Sequence, residues 1–446
     1  MRYPPSVLDE IRARLPVSQV VGRRVRLQRR GREFVGLSPF KSERTPSFTV
    51  NDQKGFYHCF SSGEHGDIFK FLMTTEGLSF FEAIERLAAE AGVALPKPTP
   101  EAERVEERRE VLLRAMEAAA VFYEDMLVTP RGRETREYLQ RRNVPPALAK
   151  RFRMGYAPDS RSALREHLTA RGFAVADLVE AGLLIAGEDI PTPFDRFRGR
   201  LIIPITDLKQ KVIAFGGRAL APDAKPKYLN SPETPLFHKG AVLYNLGAAR
   251  AAAHDQRSIV VVEGYMDVVA LVGAGIEHAV APLGTALTET QLSLLWRVAA
   301  EPVLCFDGDA AGQKAASRAA DVALPHLNAD HSLRFAFLPD GLDPDDVVRT
   351  QGAEAMRGAL SRTLPLVDLL WRRERDLEPL DTPERRAGLE RRIAGLSRRI
   401  ADPQVQAQYA TTLRSLVRDH LWQLTRRAGK GDKRGPGAGL PRALDW

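Results

Sequence analysis

At 446 residues the chain is long enough for two or three domains, and its 44% hydrophobic content allows ordinary cores to form. The formal charge of +8 suits a polyanionic partner without requiring one. Cys59 and Cys305 are the only cysteines, which excludes a disulfide framework and fits a reducing cytosol, and no apolar run suits a signal peptide or the ~20 residues of a membrane span.

Residues 1–100 read as a first unit. Pro4–Leu15 predicts a helix with Val7, Leu8, Ile11 and Leu15 on one face. Short strands are expected at Val25–Leu27, Arg32–Leu37, Ser47–Val50 and Gly55–Phe60, with turn-forming residues between them. Helices follow over Asp67–Thr74 and Ser79–Ala91, the second capped by Ser79 with Glu82 as partner. Arg23, Arg24, Arg26, Arg29, Arg30, Arg32, Lys41 and Arg44 supply charge for single-stranded nucleic acid. Phe34, Phe56, Tyr57 and Phe60 are either stacking faces for bases or the core of a small sheet.

A charged helical linker over 101–114 leads to a basic α+β lobe over 115–255. Helices are expected at Val121–Leu127 and Thr135–Arg142. Arg196–Ile205 and Val212–Arg218 read as strand, turn, strand, with basic side chains leaving the sheet. Pro226–Thr234 and Phe237–Gly240 close the lobe.

Residues 256–346 organise the chain. Ile259–Val262 is a β-branched run that predicts a buried strand, and Glu263, Gly264 and Asp267 follow it at once. A second strand, Pro302–Phe306, runs into Asp307-Gly308-Asp309. A third, Leu333–Phe337, leads to Asp340, Asp343, Asp345 and Asp346. Helical segments between them predict a parallel α/β sheet, whose strand ends gather on one edge where ligands bind. Residues i and i+2 of an extended segment point the same way, so Asp307 and Asp309 aim at one place. Carboxylates gathered this closely repel one another unless a hard divalent cation such as Mg²⁺ or Mn²⁺ joins them. Gly264, Gly308 and Gly312 suit turns that let backbone approach a phosphate. Asp267 and Asp346 read as exposed helix residues and weaker candidates. Beyond this stretch, 347–425 predicts a helical subdomain with helices at Leu364–Arg375, Pro383–Arg399 and Pro403–Trp422, and 426–446 a mobile basic tail.

The sequence Glu263-Gly264, then Asp307-Gly308-Asp309, then Asp343-Pro344-Asp345 resembles the Toprim signature of primases, some topoisomerases and certain nucleases. The fuller spelling, Val262–Val269 with Phe306–Gly312, is similar to the bacterial replicative DNA primase family, and the likeness extends over residues 1 to about 425. Gly284-Thr285 matches a Toprim turn at the border of the site. The resemblance implies a Toprim catalytic domain between a basic lobe and a helical subdomain. It implies synthesis of short RNA primers on single-stranded DNA from ribonucleoside triphosphates, leaving an RNA–DNA hybrid. Glu263, Asp307, Asp309, Asp343 and Asp345 would carry the metal, with Glu263 alternatively a general base. By matching position Arg151, Arg198, Arg200, Arg218, Lys227, Asn230 and Lys239 would meet template and nucleotide phosphates. A topoisomerase relative needs a nucleophilic Tyr in a separate cleaving domain, whereas Tyr265 sits inside the acidic motif. A non-catalytic DNA-binding module has no use for the intact acidic set.

The first unit resembles the zinc-ribbon domain of the same family and departs from it at the ligands. The family pattern, Cys-Pro-Phe-His followed by Tyr-His-Cys-Phe-Gly-Cys-Gly, reads here as Ser38-Pro39-Phe40-Lys41 and Tyr57-His58-Cys59-Phe60-Ser61-Ser62-Gly63. Of the ligand positions Ser38, Lys41, Cys59 and Ser62, one keeps its thiol, so the fold is expected without zinc. The resemblance also implies the replicative helicase as a partner, in the cytoplasm at the replication fork, although the family's helicase-docking domain is not expected within this chain.

Overall fold

The computed structural model describes residues 3–78, 80–96, 100–221, 223–284, 286–339 and 341–431, which form two compact units divided between Val105 and Glu106. Ser79, Thr285, Asp340 and the stretch 432–446 lie outside the described residues; the sequence placed on them a cap, a site border, a carboxylate and a basic tail.

The first unit is an antiparallel sheet with helices on one face. Its strands are β1 (Gln28–Arg30), β2 (Glu33–Gly36), β3 (Phe48–Asn51), β4 (Phe56–Cys59) and β5 (His65–Gly66), paired in chain order. Alternation decides the faces: Phe48, Val50, Tyr57 and Cys59 are buried, while Thr49 and His58 turn the other way. The helices Pro5–Arg14, Ile68–Glu76 and Phe80–Ala91 close over the buried face. Tyr57 stacks on Phe48 with ring centroids 5.3 Å apart, so it belongs to the core rather than to a base platform. Phe60, by contrast, is 71% exposed. Val25 packs in the core ahead of the first strand, which therefore starts later than its β-branched residue suggested. The two-residue β5 carries too little pattern to be seen in advance.

The second unit opens within a single helix, Pro100–Val128, that unites the expected linker with the helix expected after it. The basic lobe is a sheet of β6 (Gly155–Ala157), β9 (Arg200–Thr206), β10 (Val212–Ala219) and β11 (Tyr228–Asn230), ordered β11-β10-β9-β6 and antiparallel throughout. A small hairpin of β7 (Leu184–Ile185) and β8 (Phe194–Asp195) lies between β6 and β9 in the chain. Next come β12 (Val260–Val261), β13 (Ala279–Val280), β14 (Val303–Phe306), β15 (Arg334–Phe337) and β16 (Leu364–Pro365), ordered β13-β12-β14-β15-β16. All neighbours are parallel except the edge pair β15–β16.

This sheet is covered on both sides, which is why its strands read as unbroken apolar runs. Val260, Val303, Cys305 and Ala336 face the core shared with the basic lobe. Val261, Leu304, Phe306 and Phe335 face a second core, which Leu370, Leu389, Ile393, Leu413 and Val417 of the C-terminal helices complete. Those helices are Leu366–Arg375, Pro383–Arg398 and Pro403–Gly431. The last runs past the expected end at Trp422, because Leu421 and Leu424 continue its apolar contact with the second core. Among the described residues no helix is long and apolar enough to cross a membrane.

Candidate active site

The carboxyl ends of β12 and β14 and the chain leaving β15 meet on one edge of the parallel sheet. Glu263 leaves β12, and its carboxylate accepts from the backbone N–H of Asp307, which leaves β14. Asp309 caps the helix Ala310–Ala323, its Oδ1 accepting from Gly312 N at 2.8 Å. Asp343 caps the helix Pro344–Ser361 in the same way, with Oδ1 accepting from Asp346 N at 2.7 Å. Each cap spends one oxygen on its own helix.

Two glycines make the approach possible. A Cβ on Gly312 would stand 2.2 Å from the Asp307 carbonyl oxygen. A Cβ on Gly308 would stand 2.3 Å from the Leu338 carbonyl oxygen, in the segment after β15. The Asp-Gly-Asp spacing therefore lets the end of β14 lie against the chain that carries Asp343.

The gathered charge shows in the titration of the group at its centre. Asp307 is pushed up to about 7, first by loss of solvent and then by the charges of Glu263, Asp343, Asp309 and Asp346. Glu263 stays at the exposed rim but is also raised, first by desolvation and then by Asp309; the Asp307 N–H and Arg318 oppose the rise. Asp267, which the sequence suggested was exposed, is buried at 8%. Its Oδ2 accepts from Gly264 N at 2.9 Å, which fixes the turn after Glu263. Burial, then Asp343 and Asp307, pushes Asp267 well above its ordinary range. Its neighbours Met266, Val268 and Val269 are all buried, and that apolar flank was the signal available in the sequence.

Asp345 is coupled to the others, adding to burial, Asp343 and Asp307 in raising Asp267, and it also has a cationic partner of its own. It is 3% exposed and ion-pairs with Arg142, a residue the sequence singled out only as a helix end. Burial raises this carboxyl and Arg142 opposes the rise. Among the described residues no group of three His, Cys, Asp or Glu side chains stands close enough to hold a metal ion unaided. The donor set fits a hard cation of the Mg²⁺ type, which takes one or two carboxylates and fills its shell with water and substrate phosphate.

Three family models match in succession: the CHC2 zinc finger over residues 3–103, the DNA primase catalytic core N-terminal domain over 122–250, and the Toprim domain over 257–336. The DNA primase of Escherichia coli K12 is 39% identical over 422 residues, which is 94% of this chain and 71% of that protein. The chain belongs to the DnaG-type bacterial DNA primase family. Solved primases agree. A DnaG catalytic domain bound to single-stranded DNA matches 70% of this chain and 97% of its own, at 37% identity and a TM-score of 0.64. The zinc-binding and RNA polymerase domains of the Aquifex aeolicus primase match 92% of this chain and 96% of their own, at 31% identity and a TM-score of 0.60.

Within this primase fold the basic residues divide into two groups. Arg200 does not leave the sheet: it is 8% exposed and donates to the carbonyls of Gly217 at 3.1 Å and Pro226 at 3.0 Å, bracing β9, β10 and the approach to β11. Asn230 is a brace as well, accepting from the Tyr265 hydroxyl at 2.9 Å and donating to the Leu283 carbonyl at 3.0 Å. It ties the basic lobe to the turn that follows Glu263. Arg198 and Lys227 are exposed, Arg198 lying 5.2 Å from the Phe194 ring centroid. Arg218 is half-buried and lies 4.1 Å from the Tyr138 ring centroid. Arg151 ion-pairs with Glu277 at the surface. Lys239 is half-buried and is tied by its backbone, its N–H donating to Glu233 at 3.0 Å and its carbonyl accepting from Gln291 at 3.0 Å.

Proposed function

We propose that the carboxylates of this edge are the polymerising site of an RNA-primer synthase, and that Glu263, Asp307, Asp309 and Asp343 are the groups that hold Mg²⁺ or Mn²⁺. In the reaction, the 3′-hydroxyl of one ribonucleotide attacks the α-phosphate of an incoming triphosphate, a new phosphodiester forms, and pyrophosphate leaves. When bound, the cation neutralises charge on the triphosphate and lowers the cost of deprotonating the attacking hydroxyl.

The observation that carries this reading is the mutual electrostatic burden of the carboxylates. Glu263, Asp343 and Asp309 each add to the desolvation that raises Asp307, so these carboxylates act on one another, and Arg318 offsets only part of the burden at Glu263. Asp307, half-buried at its centre, would hold the cation against the triphosphate. Glu263, exposed at the rim, would either ligate the cation or accept the hydroxyl proton. Asp267 fixes the turn of Glu263 through Gly264, and Asp345 holds the turn beyond Asp343 in place through Arg142. Both therefore hold neighbours of the acidic set in place.

Phosphates need cationic partners beyond the metal. Arg198, Lys227 and Arg218 offer them around the basic sheet, with Lys239 and Arg151 beside it, while Arg200 and Asn230 hold that sheet in shape. The likeness to a catalytic domain solved with single-stranded DNA supports a single-stranded template for this chain too. Ribonucleoside triphosphates as substrates, an RNA–DNA hybrid as product, the replicative helicase as partner and the cytoplasm as location belong to the same proposal. The test is incorporation of labelled ribonucleotides on single-stranded DNA by the full chain. We expect short RNA products that need the template and a divalent cation; template-independent or metal-independent products would contradict the proposal.

A further inference from the structure

The N-terminal unit has the fold of a zinc-finger family built on donors that do not suit zinc. A structural zinc takes four thiolate or imidazole ligands, and the family positions here hold Ser38, Lys41, Cys59 and Ser62. One thiol remains, and Lys41 adds a charge that repels a cation. The nearby histidines do not supply the deficit. His58 pairs across the strands with His65, and the two rings stack at 5.9 Å. They share one face of the sheet, whereas Cys59, the next residue along β4, turns to the other face.

The loops that a metal would join meet around a carboxylate instead. Glu43 Oε1 accepts from Ser38 N at 2.7 Å and from Ser47 N at 3.0 Å, and Oε2 accepts from the Ser47 hydroxyl at 2.6 Å. The Ser61 hydroxyl bonds to the same carboxylate from the turn after β4. Ser38 Oγ accepts from Phe40 N and Lys41 N, both at 3.1 Å, and from Cys59 Sγ at 3.1 Å. Cys59 Sγ also lies 3.4 Å from Ser61 Oγ. A cation gathers anionic ligands; here an anion gathers N–H and O–H donors, and hydrogen bonds to a charged acceptor are the stronger kind.

We propose that Glu43 replaces the zinc of this family: its carboxylate cross-links the Ser38–Ser47 loop to the Cys59–Gly63 turn through serine donors, and the unit folds without metal. The hydroxyls that serve Glu43, those of Ser47 and Ser61, lie beside the former ligand positions, while Ser38 at one of those positions gives Glu43 its N–H and takes Cys59 Sγ on its own hydroxyl. The polarity of the hub is reversed, so a chelator has nothing to remove.

The experiment measures zinc content, thermal unfolding and amide hydrogen exchange on the full chain, before and after chelator treatment. We expect well under about 0.1 zinc per chain, which is far from the full occupancy that a structural site requires. In Mg²⁺-free buffer, chelator should leave the melting curve unchanged, and the Ser38 and Ser47 amides should stay protected. Glu43→Gln removes the charge and keeps the shape, and should speed exchange at those two amides about tenfold or more. Should that variant fail to fold, Ser47→Ala removes one hydroxyl donor, and a several-fold rise in exchange at Ser38 is expected. One zinc per chain, released by chelator with loss of protection, would overturn the proposal. Unchanged exchange in the folded Glu43→Gln chain, or in Ser47→Ala, would do the same.

Discussion

Single atoms set the geometry of the acidic edge. A methyl group on Gly312 would overlap the Asp307 carbonyl at 2.2 Å, and backbone cannot yield as a flexible side chain can. Gly312→Ala should therefore lose about 1–3 kcal/mol of stability, read by denaturant unfolding, and most primer synthesis with it. The Arg142–Asp345 pair is different in kind, since it leaves one charge in a nearly dry place. Arg142→Ala strands the Asp345 carboxylate, 3% exposed, without its partner. The guanidinium keeps some contact with water, so the cost should fall to about 2–4 kcal/mol, below that of a fully buried pair. A double-mutant cycle with Asp345→Asn checks it: the second change should recover part of the loss, because it removes the stranded charge.

Elements differ in how plainly the sequence announces them. Three of the parallel strands, β12, β14 and β15, were legible because both faces are buried, which leaves unbroken runs such as Ile259–Val262, whereas the two-residue β13 carried too little pattern to be seen. The carboxylates at their ends pointed to a shared edge, and β12, β14 and β15 do lie side by side in the sheet. The burial of Asp267 was not legible from helix periodicity, because a capping carboxylate on a buried turn looks like any acidic first-turn residue. Arg200 misled for a related reason: an arginine inside a strand looks solvent-facing unless the carbonyls it serves are known, and those belong to β10 and the segment before β11. Arg142 carried no local signal, as its partner stands far along the chain.

Acid should loosen the loops of the first unit. Serine donors, the Ser47 hydroxyl foremost, hold the Glu43 carboxyl at about 2, against an ordinary value of 4.5. A carboxyl lowered on folding stabilises the fold above its unfolded value, and that contribution is lost as pH falls through the folded value. Protection of the Ser38 and Ser47 amides, corrected for intrinsic exchange, should hold above about pH 4.5 and decline steadily towards pH 2. Glu43→Gln should flatten that dependence.

Across the whole molecule, an acidic edge built for a cation is a destabilising feature until the cation arrives. On the proposed reading Mg²⁺ would bind the folded arrangement and not the unfolded chain, so millimolar Mg²⁺ should raise the melting temperature by a few degrees, and excess chelator should reverse the rise. The same addition should do little to Asp307→Ala. The most direct test of the central claim is template-directed primer synthesis by Asp307→Ala, with binding to single-stranded DNA measured on the same sample. Loss of primer yield by at least about a hundredfold, with DNA binding retained, is the predicted result. Primers made at the wild-type rate by that variant would contradict the account.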